Sequence, residues 1–282
     1  MPGKQVTELD ALPSFTDTSL LPVHNGAGLK KGLLSQLANY LGNKFSNPNL
    51  LINPDFKINQ REASSYTSGY TVDRWKISNA TLNATTKTLS NPNSTDGNFL
   101  QSLENKPTGT FTVTLNVASV TGTVKFLWQD GSTPKTGVAI SKGVNTYTFT
   151  ASSLTWVGIQ IASGASIQLS YMKLEKGTVA TSFIAPNPAE ELVKCKRYYD
   201  FSSLHFYGVC NSNGSLNEDL VLYRHFRTSP TFSTNATYSK NVTVSTLTLK
   251  GSNDGGYYLY VRTPTSGTYE LDLTIKADAE IY

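Results

Sequence analysis

Three carboxylates, Asp55, Glu62 and Asp73, lie close together in the sequence and near Arg61. Two carboxylates that flank a glycosidic bond can hydrolyse it, one as the acid and the other as base or nucleophile. The structural alternative is that the Asp-Arg-Trp run at Asp73 supplies an ion pair at the surface and an indole that anchors the core. We favour the structural interpretation, because a polar loop rich in Ser, Thr and Gly follows Arg61 and Glu62.

The histidines and cysteines offer no second catalytic set. His24, His205 and His225 have no His or Cys neighbour at ligand spacing, and neither a nucleophile elbow nor a phosphate-binding glycine loop is present. Cys195 and Cys210 are too few for a disulfide framework or a zinc site. We expect two reduced, buried thiols, with a disulfide between them as the alternative. The sequence therefore predicts that the chain is not an enzyme.

Sugar binding requires an aromatic face for the C–H side of a pyranose and amides or acids for its hydroxyls. In the segment TWVGIQI, alternation places Trp156 and Gln160 opposite the aliphatic residues, with Gly158 between them. Gln168 lies on the polar face of what we expect to be the adjoining strand. These residues predict a face on which a flat saccharide ring can stack. The alternative is that another layer or subunit covers this face.

A second candidate for sugar binding lies near the end of the chain, in the segment GGYYLYVRT. Tyr258, Tyr260 and Arg262 share one face of the predicted strand, and Asp254 lies in the turn before it. Tyrosine and arginine next to an exposed turn are typical of adhesive surfaces. Packing between subunits is the alternative for this face as well.

The composition and the hydrophobic pattern predict a mainly β protein. The chain has 282 residues, of which 38% are hydrophobic and only 16% charged, so Ser, Thr and Asn must supply much of the polar surface. Apolar residues alternate in FTVTLNV, VKFLW, TWVGIQI and the terminal TYELDLTIKADAEIY. Short strands with regular turns favour antiparallel β-sandwiches over βαβ units. We assign Trp75 and Trp128 to the core.

Two short helices interrupt this pattern. GLLSQLANYLGN, residues 32–43, places Leu33, Leu37 and Tyr40 on one side. Such a short helix is marginal alone, so its apolar stripe needs a partner, either the rest of the chain or a neighbouring copy. APNPAEELVKCKRYY, residues 185–199, predicts a linker and a second helix with acids in its first turn and bases later.

Charge and hydropathy exclude two classes of partner. The net charge is only +4 and the basic residues are scattered, which does not favour nucleic-acid binding. No apolar run approaches the roughly 20 residues that a membrane helix needs, and the first residues lack the pattern of a secretory signal. We expect neither nucleic-acid binding nor membrane insertion.

Three segments in order resemble the tail-fibre and receptor-binding proteins of tailed bacteriophages. VTELDALPSFTDTSLLPVHNGAGLKKGLLSQLANYL is similar to their N-terminal attachment region. NLLINPDFKINQR, with DRW downstream and KLEKGTVATSF at the end, resembles the first and last strands of their carbohydrate-binding-module-like jelly roll. EELVKCKRYYDF, FRTSPTF and the terminal TIKADAEIY are similar to their C-terminal head. The resemblance spans nearly the whole chain.

The resemblance implies an architecture and a set of partners. It divides the chain into a tail-attachment region at 1–46 with a short helix, a jelly-roll β-sandwich at 47–188, and a head at 189–282 with a linker helix and a second β-sandwich. It implies a homotrimer in the virion tail that is made in the bacterial host cytoplasm. It also implies contacts of residues 1–46 with other tail proteins and of the head with host cell-wall polysaccharide.

Related jelly rolls often hold a structural calcium near the first and last strands. Asp55 and Glu175 are the candidate ligands here, but Lys57 and Lys173 stand where further acids are expected. Calcium takes about six to eight oxygen ligands, so we expect no cofactor, with calcium as the alternative.

The function that follows is host attachment by a phage tail protein that binds surface glycan without catalysis. One alternative is a purely structural tail adaptor or baseplate protein. The other is a polysaccharide depolymerase.

Overall fold

The chain folds into two compact units, of which one holds most of its β-structure. A computed structural model describes residues 20–24, 29–33, 47–210, 214–218, 226–243, 248–251 and 257–282. The first unit comprises Met1–Pro48 and Val179–Ile184, and the second comprises Asn49–Thr178 and Ala185–Tyr282. The second unit therefore joins the predicted jelly roll to the predicted head, and the boundary that we predicted at 188/189 falls inside it.

In the first unit, β1 (Leu20–His24) pairs antiparallel with β2 (Leu29–Leu33). The predicted helix at 32–43 overlaps this hairpin, because Gly32 and Leu33 belong to β2. For those two residues the prediction is wrong: they pair with Leu21 and Leu20 across the hairpin. The remainder of that helix lies outside the described residues.

The jelly roll consists of two six-stranded antiparallel sheets. In what we call the front sheet the order is β11-β10-β13-β8-β5-β4. Its strands are β4 (Gly69–Tyr70), β5 (Lys76–Ser78), β8 (Gly97–Ser102), β10 (Val124–Asp130), β11 (Thr133–Ala139) and β13 (Leu154–Ile161). In the back sheet the order is β12-β9-β14-β7-β6-β3. Its strands are β3 (Ser65–Tyr66), β6 (Thr81–Asn83), β7 (Thr88–Ser90), β9 (Gly109–Thr121), β12 (Gly143–Ala151) and β14 (Ser166–Lys176).

The core between these sheets follows the alternation read from the sequence. Val157, Ile159 and Ile161 of β13 are buried in it, as are the inward residues of β9 and β10. Trp75 is fully buried, stacks on Phe99 with ring centroids 4.9 Å apart, and donates its indole N–H to the Asn53 carbonyl at 2.9 Å. The prediction that Trp75 and Trp128 belong to the core is confirmed.

A short helix connects the jelly roll to the C-terminal strands. Helix α1 spans Pro188–Lys196, and the Asn187 side chain caps its first turn by accepting from the backbone N–H groups of Ala189 and Glu190. Proline early in the helix and acids in its first turn suit its N-terminus, as the sequence indicated. Within the described residues, no helix has the length and apolar character of a membrane span.

Two three-stranded antiparallel sheets form the C-terminal β-sandwich. In what we call the head sheet the order is β15-β20-β17, with β15 at Tyr199–Cys210, β17 at Thr231–Lys240 and β20 at Gly267–Asp278. The other sheet has the order β16-β19-β18, with β16 at Gly214–Glu218, β18 at Thr248–Gly251 and β19 at Tyr257–Thr263. Leu271, Leu273 and Ile275 of β20 are buried on one face, as the terminal alternation predicts. The fold is mainly β, with a jelly-roll sandwich, a linker helix and a second sandwich.

Candidate functional site

Two of the three carboxylates that could have formed a glycosidase pair have structural partners. Asp73 is fully buried and accepts from the Gln60 side-chain amide at 2.9 Å, with the Arg61 Nη1 at 3.4 Å. Asp55 is ion-paired with Lys57 at 2.7 Å. Glu62 is exposed. The predicted surface location of the Asp73 and Arg74 pair is wrong, because both side chains are buried.

Arg74 is the centre of a buried ionic network, and we call this network the junction. Its guanidinium pairs with the buried Glu280 carboxylate, donates to the Ser102 carbonyl at 2.7 Å and stacks 3.6 Å from the Tyr198 ring centroid. Arg61 stacks 3.8 Å from the Tyr199 ring centroid and lies 3.5 Å from Glu280. An isolated buried charge is costly, and these partners compensate it.

The junction joins the jelly roll to the C-terminal strands. The Gln60 amide donates to the Tyr199 carbonyl at 2.7 Å, and the Asn53 backbone N–H donates to the buried Glu191 carboxylate of α1 at 2.6 Å. The Tyr70 hydroxyl donates to the Ile281 carbonyl. Because several buried hydrogen bonds and ion pairs cross this boundary, we infer that the two sandwiches unfold as one unit.

Asp73 has the most perturbed carboxyl group of the junction. Burial raises the pKa of Asp73 to about 7, and the hydrogen bonds from Gln60 and the charge of Arg61 only partly oppose this rise. The folded state therefore keeps a proton on Asp73 at pH values where the unfolded chain, with an ordinary pKa of 3.8, has released it. Because the folded state binds more protons in that window, stability falls as the pH rises from about 4 to about 7.

The pH dependence of unfolding tests this assignment. Asp73→Asn is expected to flatten the loss of stability between about pH 4 and about pH 7, because the amide does not titrate. His205 contributes in the same direction, since its hydrogen bond with Asp272 raises its pKa and its stabilisation is lost at higher pH. The measurement is urea unfolding of the wild type, Asp73→Asn and His205→Gln across this range. Identical pH profiles for the wild type and Asp73→Asn would show that Asp73 is ionised throughout.

The candidate calcium ligands do not fit a calcium site. Each of the two carboxylates faces an ammonium: Lys57 lies 2.7 Å from Asp55, and Lys173 lies 3.3 Å from the fully buried Glu175. A cation beside these lysines is repelled, and calcium needs about six to eight oxygen ligands. In the part of the chain that the structure describes, no three His, Cys, Asp or Glu side chains cluster as metal ligands.

Trp156 lies half-buried on the outward face of the front sheet. In the sheet register it stands between Gln129 of β10 and Ser102 of β8. Gln160, also half-buried, stands between Lys125 and Asn98 in the same way. The indole is therefore next to groups that can bond to sugar hydroxyls. Trp156 and Gln160 are brought together on one face, as their alternation predicts.

Gly158 does not provide the space for a flat saccharide ring that its position between Trp156 and Gln160 suggested. A Cβ atom at Gly158 would lie 2.1 Å from the Phe99 carbonyl oxygen, so the close approach of β8 fills the site of a side chain. Opposite Gly158 on β10, Leu127 is buried although it belongs to the outward face. The glycine at position 158 is therefore explained by the close approach of β8 and not by room for a ligand.

Gln168 does not join this face. Although β13 and β14 follow each other in the chain, β13 belongs to the front sheet and β14 to the back sheet. The expectation of adjoining strands is therefore wrong. The Gln168 amide donates to the Thr86 carbonyl at 2.9 Å on the back sheet.

The candidate residues of the head lie on β19. Tyr258, Tyr260 and Arg262 occupy alternate positions, opposite Lys250 and Thr248 on β18 and opposite Asn217 and Ser215 on β16. Arg262 is exposed. Asp254 lies outside the described residues.

Within the described residues, the two cysteines and His205 form no common site. Cys195 and Cys210 are buried and not bonded to each other. Burial raises the pKa of the Cys195 thiol, which favours the unreactive protonated form. His205 is exposed on β15 with Asp272 at 2.6 Å, and His225 lies outside the described residues. The exposed tyrosines of the head sheet, Tyr207 and Tyr238, were not singled out from the sequence.

Comparisons with known proteins gave structural similarities alone. No protein-family model matches the chain, and no curated protein matches it. TmCBM61, solved with β-1,4-galactotriose, is 14% identical with a TM-score of 0.28, and the match covers 46% of this chain and 99% of that protein. Wild-type discoidin II from Dictyostelium discoideum is 12% identical with a TM-score of 0.24, over 68% of this chain and 80% of that protein. Native recombinant discoidin II is 11% identical, again with a TM-score of 0.24, over 70% and 82%.

TM-scores as low as these carry no argument about function. The fold assignment rests on the strand order and register of this chain: a mainly β protein whose larger unit contains a jelly-roll sandwich.

Proposed function

We propose that this chain is a non-catalytic glycan-binding protein. The observation that carries the proposal is the half-buried Trp156 on the outward face of the front sheet, between Gln129 and Ser102. A partly exposed indole held in a sheet is a platform for the C–H side of a pyranose. The amides of Gln129 and Gln160 can bond to the hydroxyls at the edge of such a ring.

A neighbouring cavity supplies further polar groups. Ser102, which is paired with Trp156, also lines a cavity of about 260 Å³ whose wall includes Glu104 and Asn105. Glu104 is engaged by Arg197 and by the Tyr198 hydroxyl, each at 2.7 Å, so its position is fixed. A saccharide chain that leaves the Trp156 face along β8 would reach this cavity.

The positions and partners of the candidate carboxylates agree with binding without hydrolysis. Asp73 and Glu280 are buried in the junction, and Asp55 is paired with Lys57. Two carboxylates that hydrolyse a glycoside must stand on either side of an open substrate path. Asp73 and Glu280 instead belong to the buried network that links the two sandwiches.

The setting that we propose is the tail of a bacteriophage virion. It is supported by the sequence resemblance, in which an attachment region at 1–46 precedes the jelly roll and the head. In this setting the chain forms a homotrimer, residues 1–46 contact other tail proteins, and the glycan is host cell-wall polysaccharide. Light scattering tests the trimer, which a monomeric mass at micromolar concentration would contradict.

A glycan array with the labelled full chain tests the binding proposal. We expect Trp156→Ala to weaken binding about tenfold or more, because truncating an aromatic anchor costs about 2 kcal/mol. Val144→Ala is the matched control, since Val144 is exposed on β12 of the back sheet. Equal binding by the wild type and Trp156→Ala would exclude this face as the site. Release of reducing ends from a bound polysaccharide would favour the depolymerase alternative.

A further inference from the structure

A second cavity, of about 460 Å³, opens at one end of the head sheet. Its lining includes Tyr199, Thr231, Ser233, Lys276, Asp278 and Tyr282. The volume falls within the range of about 300–1,000 Å³ that is typical of small-molecule sites. None of these residues belongs to the Trp156 face, and the lining combines aromatic rings, hydroxyls and opposite charges.

The register of the head sheet explains why these side chains converge. Asp278 of β20 stands between Tyr199 of β15 and Thr231 of β17. Two residues earlier on the same face, Lys276 stands opposite Ser233. Because side chains two residues apart project to the same side of a strand, the Tyr199, Asp278 and Thr231 row and the Lys276 row share one surface.

Tyr282 forms an aromatic wall of this cavity and is held in a fixed position. Its hydroxyl donates to the Asp278 carboxylate at 2.7 Å, and its ring packs edge-on to Tyr70 with centroids 5.4 Å apart. The residue is nevertheless 82% exposed. A fixed and exposed ring loses little freedom when a sugar stacks on it.

The two charges of the cavity are not equivalent. The Asp278 carboxylate already accepts from the Tyr282 hydroxyl and from the Glu280 backbone N–H at 3.0 Å. It also lies 4.0 Å from the Arg61 guanidinium. Lys276 is exposed, and among the residues that the structure describes no acid lies within ion-pair distance of its ammonium. The charge left for a ligand is therefore positive.

We propose that this cavity binds one anionic saccharide unit, a pyranose that carries a carboxylate or a phosphate. Its anion pairs with the Lys276 ammonium, its apolar face stacks on Tyr282, and its hydroxyls bond to Ser233 and Thr231. The inference rests on the proposed glycan-binding function, but it concerns a separate surface with its own specificity.

Saturation-transfer NMR on the full chain with small sugars tests the site. Methyl glucuronide and glucose 6-phosphate are the two anionic probes, and methyl glucoside is the neutral match. We expect both anionic probes to bind. The probe that binds more tightly identifies whether the site prefers a carboxylate or a phosphate. We expect the glucoside to bind about tenfold more weakly, as the loss of one charged partner commonly produces.

Variants locate the binding. Lys276→Gln should weaken the anionic probes about tenfold and leave the glucoside unchanged, whereas Tyr282→Ala should weaken all three. Lys240→Gln is the control, since Lys240 is exposed at the other end of β17. Equal binding of glucuronide and glucoside, or insensitivity to Lys276→Gln, would overturn the inference.

The two proposals fail separately. Loss of array binding in Trp156→Ala, together with no effect of Lys276→Gln on the small anionic sugars, would reject the cavity and retain the proposed function. The reverse pattern would reject the Trp156 face and retain the cavity.

Discussion

Glu280→Ala is expected to lower the free energy of unfolding by about 3–5 kcal/mol, the cost of removing one partner from a buried ion pair. Glu280 is fully buried and pairs with Arg74, whose guanidinium is also buried. In the variant the Arg74 charge would stay in the interior without its carboxylate. The measurement is urea unfolding of the full chain, monitored by tryptophan fluorescence.

An exposed ion pair provides the matched control for Glu280. Lys135 and Asp130 lie 3.2 Å apart, and the lysine side chain is 42% exposed. Lys135→Ala should cost less than about 1 kcal/mol, because water and salt screen an exposed pair. A loss as small as this in Glu280→Ala would show that the junction is hydrated in solution.

Trp75→Ala is expected to cost about 3–5 kcal/mol, the usual effect of truncating a large aromatic side chain in a core. The indole packs against Phe99 and Phe56, each with centroids 4.9 Å away, and its N–H bonds to the Asn53 carbonyl. Removing it leaves a cavity and takes away one of the two hydrogen bonds of the Asn53 carbonyl, which keeps that from the Phe56 N–H at 3.2 Å.

Two other variants separate core packing from surface effects at Trp75. Trp75→Phe keeps much of the packing and should cost clearly less than the alanine variant. Trp156→Ala should change stability by less than about 1 kcal/mol, since Trp156 is only half-buried and points outward. Equal losses in Trp75→Ala and Trp156→Ala, measured by the same urea titrations, would contradict the placement of both residues.

Strand alternation predicted the core well, because period 2 is a local property. In β20 every second residue from Tyr269 to Ala277 is buried, as the terminal sequence indicates. The same reasoning placed Trp156 and Gln160 on one outward face. Alternation shows which residues share a face, and in these strands it identified the apolar face correctly.

Alternation could not show which sheet a strand joins. β13 and β14 are consecutive, and both have a polar face, but they belong to different sheets of the jelly roll. Gln168 was therefore grouped with Trp156 although the two lie on opposite outer faces. Sheet assignment depends on pairing between distant strands, such as β13 with β8, which a single sequence does not reveal.

The junction could not be predicted from the sequence either, because its partners are far apart along the chain. Arg74 and Glu280 are 206 residues apart, and nothing in the local pattern of either indicates burial. Charged residues are rarely buried unless they are paired, so Asp73 and Arg74 were expected at the surface. Both residues are instead buried, because Gln60, Tyr198 and the end of the C-terminal strand supply their partners.

Binding of the full chain to purified bacterial cell walls, measured as the fraction that sediments with them, tests the central claim most directly. The account predicts that the wild type and Val144→Ala sediment with walls from a susceptible host, that Trp156→Ala sediments much less, and that no reducing ends appear in the supernatant. Equal sedimentation of the wild type and Trp156→Ala, or release of sugar from the walls by the wild type, would contradict it.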